Sequence, residues 1–181
     1  ELAEVGAAAV VLGPTSRSTF DEVDRAAVPS LRHVVRTGGD AHGDHDLDEL
    51  MSGDPAPVVD VEPSTLAVLV FSSGTAGPPK AVMLTHANLY TNVQQALAGQ
   101  VDPQRSDDVV FGLLPTFHIF GLNVMLGLSL ATGSRVLLVE RFDPASAIEA
   151  IERHGVTVIA GPPTMWAAFA GMPGVDPGVF A

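Results

Sequence analysis

Short apolar runs alternate with amphipathic stretches along most of the chain. The apolar runs have the length of buried strands and are bounded by glycine, proline and polar residues; they cover residues 7–12, 66–71, 109–114, 133–139 and 156–160. Between them, apolar residues recur at helical spacing, chiefly after Thr85 and after Asp143, and these two residues are predicted to cap the helices that follow them. This alternation predicts an α/β fold with a mixed, mostly parallel sheet that carries helices on its faces.

One connection breaks the alternation. The apolar runs at residues 66–71 and 81–84 are separated by a glycine- and serine-rich segment that is too short to contain a helix. Parallel strands need a crossover of a dozen or more residues. We therefore expect this pair of strands to be antiparallel or poorly paired.

The chain is expected to have two regions. Residues 1–63 are predicted to be a partial α/β segment with an acidic loop at 38–63 and a short helix near residues 46–51, and residues 64–181 carry the candidate chemistry. The loop contains His42, Asp44, His45 and Asp46, which could be imagined as metal ligands. A glycine-flanked loop has no rigid scaffold to fix ligand geometry, so we interpret it as a solvated loop and predict no metal ligand.

Composition narrows the classes of function. The chain has 181 residues, of which 46% are hydrophobic and 17% charged, as in globular proteins. Its net charge of −12 argues against a nucleic-acid partner. Absence of cysteine excludes disulfides, and no apolar run reaches the roughly 18–20 residues of a membrane span. We expect a cytoplasmic origin, and the start at Glu1 rather than Met suggests a piece of a longer protein.

The glycine- and serine-rich segment is the first candidate for chemistry. It reads Phe71-Ser72-Ser73-Gly74-Thr75-Ala76-Gly77-Pro78-Pro79-Lys80-Ala81-Val82. Glycine allows close backbone approach, several N–H groups and hydroxyls can surround one anion, and lysine adds a point charge suited to phosphate. Lys80 is also the only lysine in the chain. The segment predicts a polyphosphate-binding loop, although such clusters between strands are often plain turns.

The same segment resembles the phosphate loop of the adenylate-forming superfamily, which includes acyl-CoA synthetases, aryl-CoA ligases, luciferases and nonribosomal adenylation domains. Ala76 is a departure, because most members have threonine there and a hydroxyl is lost. The next residues, Met83-Leu84-Thr85-His86-Ala87-Asn88-Leu89, are similar to the acyl-CoA synthetase branch. The chain is thus identified as a partial N-terminal domain of a long- or medium-chain fatty-acid–CoA ligase-like member.

A second segment resembles another landmark of that family, Pro-x-Phe-His-x-x-Gly. It reads Pro115-Thr116-Phe117-His118-Ile119-Phe120-Gly121, follows a predicted strand and opens a predicted helix that runs to about residue 130. A lone histidine in an apolar segment is often a core residue, but ligands of α/β sheets bind at this kind of junction. The resemblance implies that His118 lies beside the acyl carboxylate and that Phe117 and Gly121 frame it.

The resemblance also implies a two-step reaction. A carboxylate attacks the α-phosphate of ATP, and a thiol, commonly that of coenzyme A, then takes the acyl group, with Mg²⁺ bridging the phosphates. Gly161 and Pro162 would form a wall of the acyl pocket, although core packing is the simpler explanation of the apolar cluster after them. The implied catalytic residues are His118 and Lys80, and the implied nucleotide-binding residues are Ser72, Ser73, Gly74, Thr75, Ala76, Gly77, Pro79 and Lys80.

Several family landmarks do not occur in the 181 residues. There is no aromatic-Gly-x-Thr-Glu segment, which holds Mg²⁺ in the family, and no Thr-Gly-Asp segment for the ribose. We expect part of an acid–thiol ligase for a carboxylic, fatty acid, which binds nucleotide weakly and is inactive without the remainder of the polypeptide. One alternative is an unrelated nucleotide-binding module, although its acidic candidates, Asp107 and Asp108, precede a strand. The other is a non-catalytic remnant or interaction domain.

Overall fold

The computed structural model describes residues 1–39, 44–72, 80–99 and 101–180. The chain divides into two compact units, residues 1–60 and 61–181. The α/β fold class is confirmed, but the strands of the described residues form three small sheets rather than one. The division into functional domains after residue 63 stays a prediction.

The first unit is built on three parallel strands. β1 (Ala9–Leu12) pairs with β2 (His33–Arg36), and β2 pairs with the two-residue strand β3 (His45–Asp46). Helix α1 (Arg17–Asp21) lies between β1 and β2 in the chain, and helix α2 (Leu47–Met51) follows β3. Leu12, Phe20 and Val34 form the buried cluster of this unit. The short helix expected inside the acidic loop is therefore confirmed as α2, whereas β3 was not expected.

A partly buried ion-pair network braces the end of β2 and the residue before β3. Arg36 is 3% exposed and donates from Nε to Asp44 at 2.9 Å and from Nη2 to Asp21 at 2.7 Å. Arg25 donates two further hydrogen bonds to Asp44. Hydrogen bonds from Arg25 and Arg36 hold the pKa of Asp44 below its ordinary value, despite the opposing effect of burial. Asp44 therefore stays ionised and braces the start of β3.

The second unit begins with an antiparallel pair of strands, as expected. β4 (Leu66–Ser72) pairs with β5 (Lys80–Thr85), and helix α3 (His86–Gly99) follows β5 directly. Thr85 caps α3 as predicted, because its hydroxyl accepts the Asn88 N–H at 3.2 Å while the Asn88 side chain accepts the Thr85 N–H at 2.9 Å. This reciprocal cap fixes the angle at which β5 enters α3.

A parallel three-stranded sheet forms the centre of the second unit. β6 (Val109–Gly112) lies between β7 (Arg135–Leu138) and β8 (Val158–Ile159). Successive strand residues point to opposite faces, so Phe111 packs with helices α5 (Pro144–His154) and α6 (Pro163–Ala170), whereas Val110 packs with Leu114 and Met125. The sheet is therefore covered on both faces, as its apolar run predicted.

The helix predicted after Pro115 is present, but its first part is a π-helix. Residues 115–118 form a turn, a π-helix covers Phe120–Gly127, and the short helix α4 (Leu128–Thr132) completes the segment. Apolar periodicity does not distinguish these helix types over one or two turns. A π-helix makes i to i+5 hydrogen bonds and is frequent at functional sites.

Candidate functional site

The β4–β5 ladder brings the two ends of the glycine-rich loop together. Ser72 and Lys80 are the terminal pair of the ladder, and the Ser72 hydroxyl donates to the Lys80 carbonyl oxygen at 3.3 Å. The loop must therefore leave and return at one point of the sheet. Ser73, Gly74, Thr75, Ala76, Gly77 and Pro79 lie outside the described residues, so their predicted contacts with phosphate stay predictions.

His118 follows the carboxyl end of β6 and is held in one tautomer. Its backbone N–H donates to the Pro115 carbonyl at 3.1 Å, and its Nδ1 accepts the N–H of Phe120, also at 3.1 Å. A ring nitrogen that accepts a hydrogen bond carries no proton, so in the neutral ring the proton is assigned to Nε2. The exposed imidazole thus offers an N–H donor to a ligand, while its backbone is fixed by the turn.

Gly121 is required by the close approach of two backbone segments. A Cβ at this position would overlap the carbonyl oxygens of Pro115 and Leu114. Backbone atoms cannot swing aside as the end of a flexible side chain can. The glycine therefore lets the start of the π-helix press against the turn that carries His118, which is consistent with the framing role expected for it.

The strands that flank the glycine-rich loop and the His118 segment together line one cavity of 530 Å³. Val70, Phe71 and Ser72 contribute from β4, Val82 and Leu84 from β5, and Phe117, His118 and Ile119 from the segment after β6. Directly opposite residues of an antiparallel pair share a face, so Lys80 lies on the face of Ser72, beside this lining. Apart from Ser72 and His118 the lining is apolar. Such a cavity suits an apolar molecule with one polar end.

Alternation along β4 and β5 could have identified more of this lining from the sequence. Val70 and Ser72 are two residues apart, as are Val82 and Leu84, so each pair points to one face. The contribution of Ile119 could not be found this way, because it depends on the turn before the π-helix.

A second cavity, of 400 Å³, lies between α3 and the π-helix and shares Leu84 and Ile119 with the first. Asn123 lies in its wall and is only 6% exposed. Its amide donates to Asn92 Oδ1 at 2.6 Å and to the Leu89 carbonyl at 3.4 Å. Sequence reasoning missed this pair, although an asparagine within an apolar run is a recognisable signal of a buried polar contact.

The Asn92–Asn123 pair connects the helix after the glycine-rich loop with the π-helix after His118. Asn92→Ala should lower the free energy of unfolding by about 1–2 kcal/mol, because the buried Asn123 amide loses its shorter hydrogen bond. Asn123→Ala should also lower it, because it removes the same bond. The double variant should cost less than the sum of the two, since the residues share one interaction. Urea unfolding followed by the fluorescence of Trp166, the sole tryptophan, measures the free energy of unfolding of each variant.

The control is Gln94→Ala, an exposed position on the same helix, which should change the free energy of unfolding by under about 0.5 kcal/mol. Strict additivity of the two asparagine variants would contradict the coupling.

Gly161 and Pro162 follow β8, which is the neighbour of β6. The carboxyl ends of parallel strands meet at the same edge of a sheet, so these residues emerge at the edge that carries His118. They are not among the described residues that line the 530 Å³ cavity. A methyl group at Gly161 would overlap the buried side chain of Met165. Their predicted role in the acyl pocket stays a prediction.

Asp107 and Asp108 lie at the opposite edge of the parallel sheet, before β6. Asp108 accepts hydrogen bonds from the Arg105 N–H at 2.6 Å and the Thr157 hydroxyl at 2.7 Å, and these bonds lower its pKa although burial opposes them. The carboxylate thus ties β6 to the segment before β8. It does not lie after a strand, where the alternative nucleotide-binding module would need it.

Two carboxylates of the acidic loop have structural partners. Asp44 binds Arg25 and Arg36, and Asp46 caps α2 by accepting the Asp48 N–H at 2.8 Å. His42 lies outside the described residues. Within the described ranges, no group of three or more His, Asp or Glu residues is placed to hold a metal ion.

The sequence matches the model of the AMP-binding enzyme family over residues 2–177. The chain belongs to this family, which confirms the resemblance of the two landmark segments. In the parts of the chain that the structure describes, no helix is both long and apolar enough to cross a membrane.

Known relatives include CoA ligases of two kinds. The chain is 41% identical over 123 residues to 4-coumarate–CoA ligase 2 of Nicotiana tabacum, covering 66% of this chain and 22% of that protein. It is 36% identical over 110 residues to a long-chain-fatty-acid–CoA ligase of Bacillus subtilis (strain 168), covering 61% of this chain and 20% of that protein. The chain therefore spans about a fifth of the length of these relatives.

The fold is similar to that of a solved structure with nucleotide. ATP-bound MatB from Rhodopseudomonas palustris matches with a TM-score of 0.76 at 24% identity, over 99% of this chain and 36% of MatB. At this identity the match concerns the fold alone.

Proposed function

We propose that the chain is the phosphate- and acid-binding part of an ATP-dependent acid–thiol ligase, which joins a carboxylic acid to coenzyme A through an acyl-adenylate. The observation that carries the proposal is the 530 Å³ cavity, because the strands that frame the glycine-rich loop and the His118 segment line it together. Membership of the AMP-binding enzyme family supports the same reaction.

In the first step, a carboxylate oxygen of the acid attacks the α-phosphorus of ATP, and pyrophosphate leaves with the electron pair of the broken P–O bond. Lys80 and the loop N–H groups neutralise charge on the β- and γ-phosphates, and the Nε2–H of His118 holds the carboxylate. In the second step, the thiol sulfur attacks the acyl carbonyl carbon and releases its proton to solvent, and AMP leaves with the electron pair of the broken C–O bond. No protein nucleophile is needed, because positioning and charge neutralisation supply the catalysis.

We propose that the whole enzyme requires coenzyme A and Mg²⁺. Mg²⁺ commonly binds through substrate phosphates and one or two carboxylates. The residues described around the cavity provide no carboxylate, so this part of the chain would hold the ion only through the nucleotide. We propose the cytoplasm, which supplies ATP, as the compartment.

The acid is proposed to have an apolar body, and a fatty acid is the finer proposal. The lining of the cavity supports this because its side chains are apolar except for Ser72 and His118. The two relatives are named for 4-coumarate and for long-chain fatty acids, which both combine a carboxylate with an apolar body.

ATP–pyrophosphate exchange tests the proposal. The enzyme of full family length that carries this segment should exchange pyrophosphate only when a carboxylic acid is present, with fatty acids preferred over 4-coumarate. ATP hydrolysis that is independent of any acid would instead favour the unrelated nucleotide-binding module.

The 181-residue chain alone should give no exchange above background with any acid, because it lacks the Mg²⁺- and ribose-binding landmarks of the family. Calorimetry should detect at most weak ATP binding by the same chain. Exchange by the chain alone would contradict this part of the proposal.

A further inference from the structure

Two histidines of the first unit face each other and have no part in the proposed ligase reaction. His33 begins β2 and His45 begins β3. Val35 is the registered partner of His45, and His33 lies two residues before Val35, so both imidazoles stand on one face of the sheet. Nδ1 of His33 is 3.4 Å from Nε2 of His45, the rings are tilted by 42°, and both residues are exposed.

This separation matches two ligands of one tetrahedral metal ion. Zn²⁺ binds imidazole nitrogen at about 2.0–2.1 Å. Two such bonds at the tetrahedral angle place the nitrogens about 3.3–3.4 Å apart. Imidazole is also the protein ligand that suits Zn²⁺ best among the side chains of this cysteine-free chain.

The backbone that carries the two rings is held in place by the ion pairs beside it. Asp44 precedes His45 and binds Arg36 of β2 at 2.9 Å, and the Arg36 side chain is 3% exposed. The Asp44–Arg36 ion pair therefore fixes the start of β3 against β2, next to the two histidines. Acidic residues also outnumber arginines in residues 1–62, and such a charge excess raises the local concentration of cations.

We propose that His33 and His45 form a two-histidine site for a transition-metal ion of the Zn²⁺ type. Nδ1 of His33 and Nε2 of His45 are the ligands, and water completes the tetrahedron. Asp44 is excluded as a ligand because both of its carboxylate oxygens are occupied by guanidinium groups. Occupancy would cross-link the two-residue strand β3 to β2 and would thereby stabilise the edge of this sheet.

Zinc titration of the 181-residue chain tests the site. In a non-chelating buffer near pH 7.5, calorimetry with ZnCl₂ should give one site per chain, and ZnCl₂ should raise the Tm of the first unit. His33→Gln and His45→Gln should each weaken Zn²⁺ binding at least tenfold and abolish the rise in Tm. Both side chains are exposed, so both variants should keep the wild-type circular dichroism spectrum. MgCl₂ should have no effect, since Mg²⁺ prefers oxygen ligands.

His86→Gln is the matched control, because His86 is an exposed histidine at the start of α3 in the other unit. It should bind Zn²⁺ as the wild type does. Equal affinity in the wild type and in His33→Gln, or an equal loss in His86→Gln, would overturn the proposal in favour of adventitious surface binding. Absence of any zinc binding would also overturn the proposal, and the two rings would then be a hydrogen-bonded pair only. Neither result bears on ligase activity.

Discussion

Replacing Lys80 by alanine in the enzyme of full length should slow acyl-adenylate formation about 10²- to 10³-fold, the usual loss when one charge-stabilising donor is removed. Lys80 ends the loop, is paired with Ser72 and lies on the face that borders the cavity. Pyrophosphate leaves in the first step only, so charge neutralisation by Lys80 matters there. The rate of thioester formation from a supplied acyl-adenylate should therefore fall less than about tenfold. This limit corresponds to a rise of under about 1.4 kcal/mol in the activation free energy of the second step.

Two variants control for charge and for folding. Lys80→Arg keeps the charge in a different geometry and should recover part of the adenylation rate. Arg153→Ala removes an exposed cation from α5, where Arg153 is 72% exposed, and should leave both steps unchanged. Equal losses in both half-reactions for Lys80→Ala would refute the phosphate role.

Gly121→Ala should damage both the fold and the acid site. The added methyl group would overlap the carbonyl oxygens of Pro115 and Leu114, and overpacking of this kind costs about 1–3 kcal/mol. Pro115 also accepts the backbone N–H of His118, so relief of the clash must move the imidazole. We expect a rise in KM for the acid and a loss of kcat/KM of up to about 10²-fold, as for a displacement of about 1 Å in an active site.

Gly99→Ala separates this effect from the general consequences of adding a methyl group. Gly99 ends α3, and a Cβ there would meet no atom within 4 Å. At this exposed terminal position the variant should change stability by under about 0.5 kcal/mol at unchanged activity. A Gly121→Ala enzyme with wild-type KM for the acid would show that the close approach does not position His118.

The two landmark segments could be recognised from sequence because their chemistry depends on residue types at fixed local spacing. Ser72, Lys80 and His118 belong to short motifs whose function is carried largely by backbone conformation and a few side chains. The same locality explains why the caps at Thr85 and Asp143 and the strands flanking the loop were predicted well. Each depends on contacts within a few residues of the chain.

The sequence predicted a helix after Pro115 but not the π form of its first part. Its path depends on the contact of Gly121 with the Pro115 turn and on the bond from Asn123 to Asn92, about thirty residues earlier. Neither interaction leaves a periodic pattern in the sequence. The strand β3 was missed for a related reason, since two residues are too few to produce an alternation.

By itself the sequence determined the α/β class, the antiparallel pair around the glycine-rich loop, and the two segments that identify the family. These features follow from local hydrogen bonding, turn geometry and the alternation of buried positions. Only the tertiary structure decided that β4, β5 and the His118 segment enclose one cavity, and that His33 meets His45 across two strands. Such contacts join residues far apart in the chain, and their geometry is set by how whole elements pack rather than by any residue's neighbours in sequence.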